Sequence, residues 1–111
     1  MNMWHSFVEW LWSWFFPAKP LWKSCHVSDL PSRLRERCVY LVAEGDQVWQ
    51  VAMLCPCGCG EIIQLCAVPE SRPSWAVTEH PEGTVTLSPS VWRTTGCRSH
   101  FFLRAGQIRW C

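Results

Sequence analysis

The stretch CVYLVAEGDQVWQVAMLCPCGCGEIIQLCAV, residues 38 to 68, carries the clearest strand and turn signals in the chain. Its first two segments, CVYLVAE (38 to 44) and QVWQVAML (47 to 54), are short apolar runs rich in β-branched residues. Gly45-Asp46 between them is a two-residue hairpin signal. EIIQLCAV (61 to 68) predicts a third strand. Between the second and third strands lies CPCGCG (55 to 60), in which Cys55, Cys57 and Cys59 alternate with Pro56, Gly58 and Gly60.

The same pattern continues toward the C-terminus. WAVTE (75 to 79) and TVTLS (84 to 88) flank His80-Pro81-Glu82-Gly83, which predicts a second hairpin. HFFLR (100 to 104), a turn at Ala105-Gly106 and QIRW (107 to 110) predict a third. DLPSRLRER (29 to 37) reads as a short helical turn. These elements predict a mainly β domain over residues 25 to 111, a β-meander of six or seven short strands.

Residues 1 to 24 differ in character. In MNMWHSFVEWLWSWFF the polar residues Asn2, Ser6, Glu9 and Ser13 recur three to four apart, as on one face of a helix. The rest of that cylinder is apolar, so the Trp-rich helix needs a cover. Pro17 ends it, and Pro17 to Ser24 reads as a linker. No Lys or Arg precedes the apolar run, Glu9 interrupts it, and it is shorter than the roughly 18 residues a spanning helix needs. A cytoplasmic location is therefore expected, where thiols stay reduced.

Composition excludes some functions. With 49% hydrophobic and 17% charged residues and nine tryptophans, the chain is too apolar for disorder. Arg33, Arg35 and Arg37 alternate, and Arg93, Arg98, Arg104 and Arg109 gather near the C-terminus, but the net charge is only +1. No net basic field recruits nucleic acid.

Eight cysteines require a redox or metal explanation. Zinc takes four thiolate or imidazole ligands, commonly as two close pairs on tight turns. CPCGCG supplies one such turn, and Cys97-Arg98-Ser99-His100 supplies a second pair, Cys97 with His100. Cys55, Cys57, Cys59, Cys97 and His100 thus offer five ligands for four places. Cys57 and Cys59 with Cys97 and His100 are the preferred set, with Cys55 in reserve. Half-cystines spaced C-x-C are awkward to bridge. Cys25, Cys38 and Cys66 lie in or near apolar strands and suit the interior. A structural zinc is worth about 10 to 16 kcal/mol of apparent binding energy, against about 2 to 4 for one disulfide, and a small domain gains more from the former. Glu61, His80 and Glu82 form no H-x-E or HExxH pairing, so a structural metal is expected rather than a catalytic one.

The motifs LCPCGCGEIIQL, TVTLSPSVW and GCRSHFFLRAGQIRWC together resemble a family of small bacterial proteins catalogued as a domain of unknown function. Its members carry a CxCGCG turn, an L-x-PS segment, and a C-x-SHF/Y unit followed by G-x-I/V-x-W. The resemblance spans about Val27 to Trp110. It implies metal binding at Cys55, Cys57, Cys59, Cys97 and His100. It also implies service beside E1-like enzymes and ubiquitin-like proteins in bacterial conjugation, and with it antiphage defence.

The expected function is therefore a non-catalytic, zinc-bearing interaction module that docks an E1-like enzyme or a ubiquitin-like protein. Trp4, Phe7, Trp10 and Trp14 are its candidate partner-binding residues, since Trp anchors interfaces and these are too many for one small core. Self-association through that helix is expected before contact with a membrane surface, because its polar stripe carries Glu9 rather than Lys or Arg. The alternative is an E2-like thioester carrier, which needs an accessible thiolate at Cys97 or Cys111. Trp49, Trp75 and Trp110 are expected in the core.

Overall fold

The computed structural model describes residues 20–111. Nine strands follow one another: β1 Lys23–Val27, β2 Cys38–Glu44, β3 Gln47–Leu54, β4 Ile62–Cys66, β5 Ala76–Glu79, β6 Val85–Ser88, β7 Val91–Trp92, β8 His100–Arg104 and β9 Gln107–Trp110. The hairpins read from the sequence form at the expected residues. Gly45 takes a left-handed φ of 64° at the β2–β3 turn, a conformation open to glycine at little cost.

The meander and the helical turn expected at 29 to 37 need correction. The strands form three sheets, ordered β1-β2-β3-β4, β5-β6 and β7-β8-β9. β1 runs parallel to β2, with Lys23 opposite Cys38 and Val27 opposite Val42. It begins within the stretch read as a linker. A parallel neighbour carries no turn signal, because its partner is reached through a long crossover. That crossover contains DLPSRLRER, which is irregular rather than helical. Its end is tied down where the Arg35 N–H donates to the Tyr40 hydroxyl at 2.9 Å. Every regular element among the described residues is a strand. The Trp-rich helix predicted over residues 1 to 16 lies outside the described residues.

The core joins the three sheets. Val39 and Leu41 of β2, Val51 and Met53 of β3, and Ile63 and Leu65 of β4 meet Val85 and Leu87 of β6, Val91 of β7, and Phe101 and Leu103 of β8. Each contributing strand places alternate residues inward, as the two-residue side-chain period requires. Trp22 also enters this core. Its N–H donates to the Gly106 carbonyl at 2.8 Å, and the Gly106 N–H donates to Val85 at 2.9 Å, so the β8–β9 turn is pinned against the rest. Trp75 packs against the core. Trp49 and Trp110 do not enter it, being 43% and 53% exposed.

The inward alternation of β8 has a consequence for its outer face. With Phe101 and Leu103 buried, His100, Phe102 and Arg104 project on the opposite side of the three-stranded sheet.

Candidate functional site

Two loops from different sheets meet. The first, residues 55 to 61, joins β3 to β4. The Cys55 N–H donates to the Glu61 carbonyl at 2.9 Å, closing the loop, and the Gly58 N–H donates to Cys55 at 3.2 Å. Gly58 and Gly60 take φ of 90° and 84°, which lets the alternating cysteines turn to one side. The second loop, residues 93 to 99, joins β7 to β8. It is closed by the Arg93 N–H donating to Ser99 at 2.8 Å.

The Sγ atoms of Cys55, Cys57, Cys59 and Cys97 all lie within 4.8 Å of one another. Cys55 Sγ is 3.4 Å from Cys57 Sγ and 3.6 Å from Cys97 Sγ. Four sulfurs held at about 2.3 Å from a tetrahedral zinc would stand about 3.8 Å apart. The donor set therefore fits a metal ion in size and chemistry. Cys55 is buried at the base of the cluster, and the other three are exposed.

Electrostatics favour a cation here. The Ser99 side chain and backbone N–H, aided by Cys55 and Cys57, pull the Cys97 thiol down to about 6. Ser99, then Cys55 and the Cys59 backbone, also lower Cys57. At Cys59 the Glu61 backbone N–H acts the same way, but lost solvation and the sulfurs of Cys57, Cys97 and Cys55 outweigh it and push the thiol up to about 11. Cys97 thus ionises most readily of the four, and neighbouring sulfurs then resist ionising. A metal ion bound there would remove that conflict by holding all four as thiolates.

Arg93 ties the two loops together. Its Nη1 donates to Cys97 Sγ at 3.3 Å and to Cys59 Sγ at 3.6 Å, while Nη2 pairs with the Glu61 carboxylate. Glu61, with the sulfurs of Cys55 and Cys97, holds the guanidinium above its ordinary value.

His100 stands elsewhere. Cys97 and the buried Ser99 face the sulfur cluster, Ser99 Oγ being 3.1 Å from Cys97 Sγ. The next residue projects from the other side of the sheet. His100 Nε2 lies 3.0 Å from Ser90 Oγ. Its ring stacks on Trp92, with centroids 5.2 Å apart and planes 18° from parallel. Ser90 is held from behind by Trp75 Nε1, which donates to the Ser90 carbonyl at 3.2 Å. Ser90 and His100 are both half-buried, so the pair is reachable from solvent.

The structure thus brings together four of the five ligand candidates and directs the fifth to a serine. Cys55, the reserve ligand, is the innermost sulfur. Sequence reasoning passed over Ser90. Its signal lay in the motifs themselves, where L-x-PS supplies a serine and C-x-SHF supplies a histidine. Trp4, Phe7, Trp10 and Trp14 lie outside the described residues.

The family model BubE, described as the serine protease of a bacterial ubiquitination-like system, matches residues 26–111. The chain belongs to the BubE family. The match includes Ser90, His100 and all four clustered cysteines. Membership connects the chain with a bacterial ubiquitination-like system, and hence with protein partners in that pathway. No curated protein and no solved structure matches the chain.

Proposed function

We propose that this chain is a serine peptidase of a bacterial ubiquitination-like system, with Ser90 as nucleophile and His100 as general base. The observation that carries this reading is the 3.0 Å contact between Ser90 Oγ and His100 Nε2. A serine hydroxyl is a weak nucleophile until an adjacent base removes its proton. In this geometry Oγ attacks a peptide carbonyl while its proton passes to Nε2. The imidazolium then protonates the departing amine, and water repeats the sequence to release the acyl group. The Trp92 ring holds the imidazole plane in place. The family description, a serine protease, agrees with this assignment.

The cysteine cluster acts as scaffold in this proposal. Zinc suits four thiolates better than a hard cation does. Held by Cys55, Cys57, Cys59 and Cys97, it would fasten the β7–β8 loop to the β3–β4 loop. Cys97 is only three residues before His100, so that fastening fixes where β8 begins and where the base stands. A cytoplasmic setting suits eight free cysteines. The substrate would be a ubiquitin-like protein or a conjugate of one.

The E2-like alternative requires a free thiolate, and Cys97 is engaged with other sulfurs and with Arg93. The non-catalytic module expected from the sequence would show no turnover, and the two readings separate cleanly. A fluorophosphonate probe is expected to label zinc-loaded protein at Ser90, located by mass spectrometry, and not to label Ser90→Ala. Folded, zinc-loaded protein that takes no label and cleaves no ubiquitin-like protein of its system would leave the docking module standing.

A further inference from the structure

The face that carries the serine–histidine pair continues beyond it. Trp92 pairs with His100 and Val91 with Phe101 across β7 and β8, so the same register sets Ser90 opposite Phe102. On the other side, Phe102 pairs with Arg109 of β9. Directly paired residues project to the same face of a sheet. Ser90, His100, Phe102, Arg104 and Arg109 therefore share one surface.

A cavity of about 310 Å³ opens on this surface, next to Ser90 in the chain. Thr86, Ser88 and Pro89 form one wall, and Phe102 and Arg104 the other. Its volume lies at the lower end of the range for ligand sites and is enough for one side chain. Its walls are preformed. Thr86 Oγ1 accepts the Ala105 N–H at 2.8 Å and contacts His80 Nε2 at 2.7 Å. The Arg104 guanidinium lies 4.5 Å over the Phe102 ring. Stacking of this kind holds the group flat and leaves its N–H donors free at the edge. No carboxylate lines the cavity, and neither Arg104 nor Arg109 is ion-paired among the described residues. A planar donor fork on the face that carries Ser90, with no ion-pair partner among the described residues, matches a carboxylate in shape and charge.

We propose that this cavity is a specificity subsite for a carboxylate carried by the peptide substrate next to the bond that Ser90 attacks. Arg104 is the specificity-determining residue and Phe102 its platform. The inference rests on the peptidase reading of Ser90 and His100. The carboxylate is either an acidic side chain or the peptide's own C-terminal group.

Both sources are separated by digesting a proteome-derived peptide library, with free or amidated C-termini, and mapping cleavages by mass spectrometry. The wild-type protein is expected to enrich Asp or Glu at one fixed position from the cleaved bond, or to cut near free C-termini and lose that preference on amidation. Either result assigns the carboxylate. The ratio of kcat/KM for a preferred peptide over its neutral counterpart is expected to fall about tenfold or more in Arg104→Gln, and less in Arg104→Lys. Equal cleavage of acidic and neutral peptides, or an unchanged ratio in Arg104→Gln, overturns the subsite. Binding of a Glu-containing peptide to Ser90→Ala, followed by tryptophan fluorescence, tests the subsite without turnover. If wild-type protein cleaves nothing, the peptidase reading fails. Weaker binding in Ser90→Ala/Arg104→Gln than in Ser90→Ala would still uphold the carboxylate site, and equal binding would refute it.

Discussion

Cys97 and His100 stand three residues apart and serve opposite sides of one sheet. The Cys97 sulfur lies 3.6 Å from Cys55 on the β3–β4 loop, while the His100 ring lies 3.0 Å from Ser90. Ser99 between them is buried, its hydroxyl against the Cys97 sulfur. The cluster and the serine–histidine pair are thus mechanically joined through one short segment of chain.

Removing the metal should therefore disarm the serine without touching it. A structural zinc contributes about 10 to 16 kcal/mol of apparent binding energy, as much as a small domain's whole stability of about 5 to 15. Protein stripped with a chelator is expected to lose cooperative unfolding and fluorophosphonate labelling together, and to regain both on readdition of zinc. Cys55→Ser should be the most damaging substitution among the four clustered cysteines, since Cys55 is the buried sulfur. Cys66→Ser lies outside the cluster and should retain metal, as counted by native mass spectrometry. Full labelling of metal-free protein would show that the cluster does not position His100.

Ser90 and His100 should behave as one unit. Each of Ser90→Ala and His100→Ala is expected to lower kcat by about a thousandfold or more, and the double variant should be no slower than the worse single one. His100→Ala should keep its metal, because His100 lies apart from the four sulfurs. Steady-state kinetics with native mass spectrometry checks both statements. Loss of metal in His100→Ala would instead make His100 a ligand.

Local signals in the chain marked what is local in the fold. The turn signals at Gly45-Asp46, His80-Pro81-Glu82-Gly83 and Ala105-Gly106, with the apolar runs around them and EIIQLCAV after the cysteine loop, marked seven of the nine strands closely. β1 was hidden because its pairing with β2 is parallel, and KSCHV carries neither alternation nor a turn. At the site, the cysteine spacings identified the cluster but could not choose among five ligands. That choice depends on which way β8 faces, and the burial of Phe101 and Leu103 sets it. With those two inward, an immediate neighbour must point outward. Ser90 was legible only as a serine in a motif, since its partner lies ten residues away across a strand pairing.

Gly106 is expected to resist even alanine. It holds a φ of 78°, and a Cβ there would stand 2.8 Å from the Trp22 carbonyl oxygen and 3.0 Å from Thr84 Cγ2. The left-handed conformation alone costs a non-glycine residue about 1 to 2 kcal/mol. The contact with a backbone atom adds to that, because Trp22 is anchored in the core and in a hydrogen bond to Gly106 itself. Gly106→Ala should lower stability by about 2 kcal/mol or more in urea unfolding, whereas Gly45→Ala meets no atom within 4 Å and should cost only the conformational part. Equal losses in the two variants would show that the β8–β9 turn is not pinned as described.

Acid should weaken the fold in part through Glu82. Its carboxyl is held below the ordinary value of 4.5 by its own backbone N–H, then by the Thr84 hydroxyl, and more weakly by the charges of His80 and Lys23. Thr84 is fully buried and its hydroxyl donates to Glu82 at 2.8 Å, beside the bridge that joins Thr84 to Lys23. A carboxyl with a depressed folded value binds its proton more tightly in the unfolded chain. Its stabilisation is therefore complete above 4.5 and is lost as the pH falls through the lower folded value. Glu82→Gln should melt below the wild type at neutral pH, and the gap should narrow as the pH drops below 4.5. Thermal unfolding of both proteins from pH 7 down to pH 3 reads this directly. A gap that stays constant across that range would mean that Glu82 contributes through packing rather than through its charge.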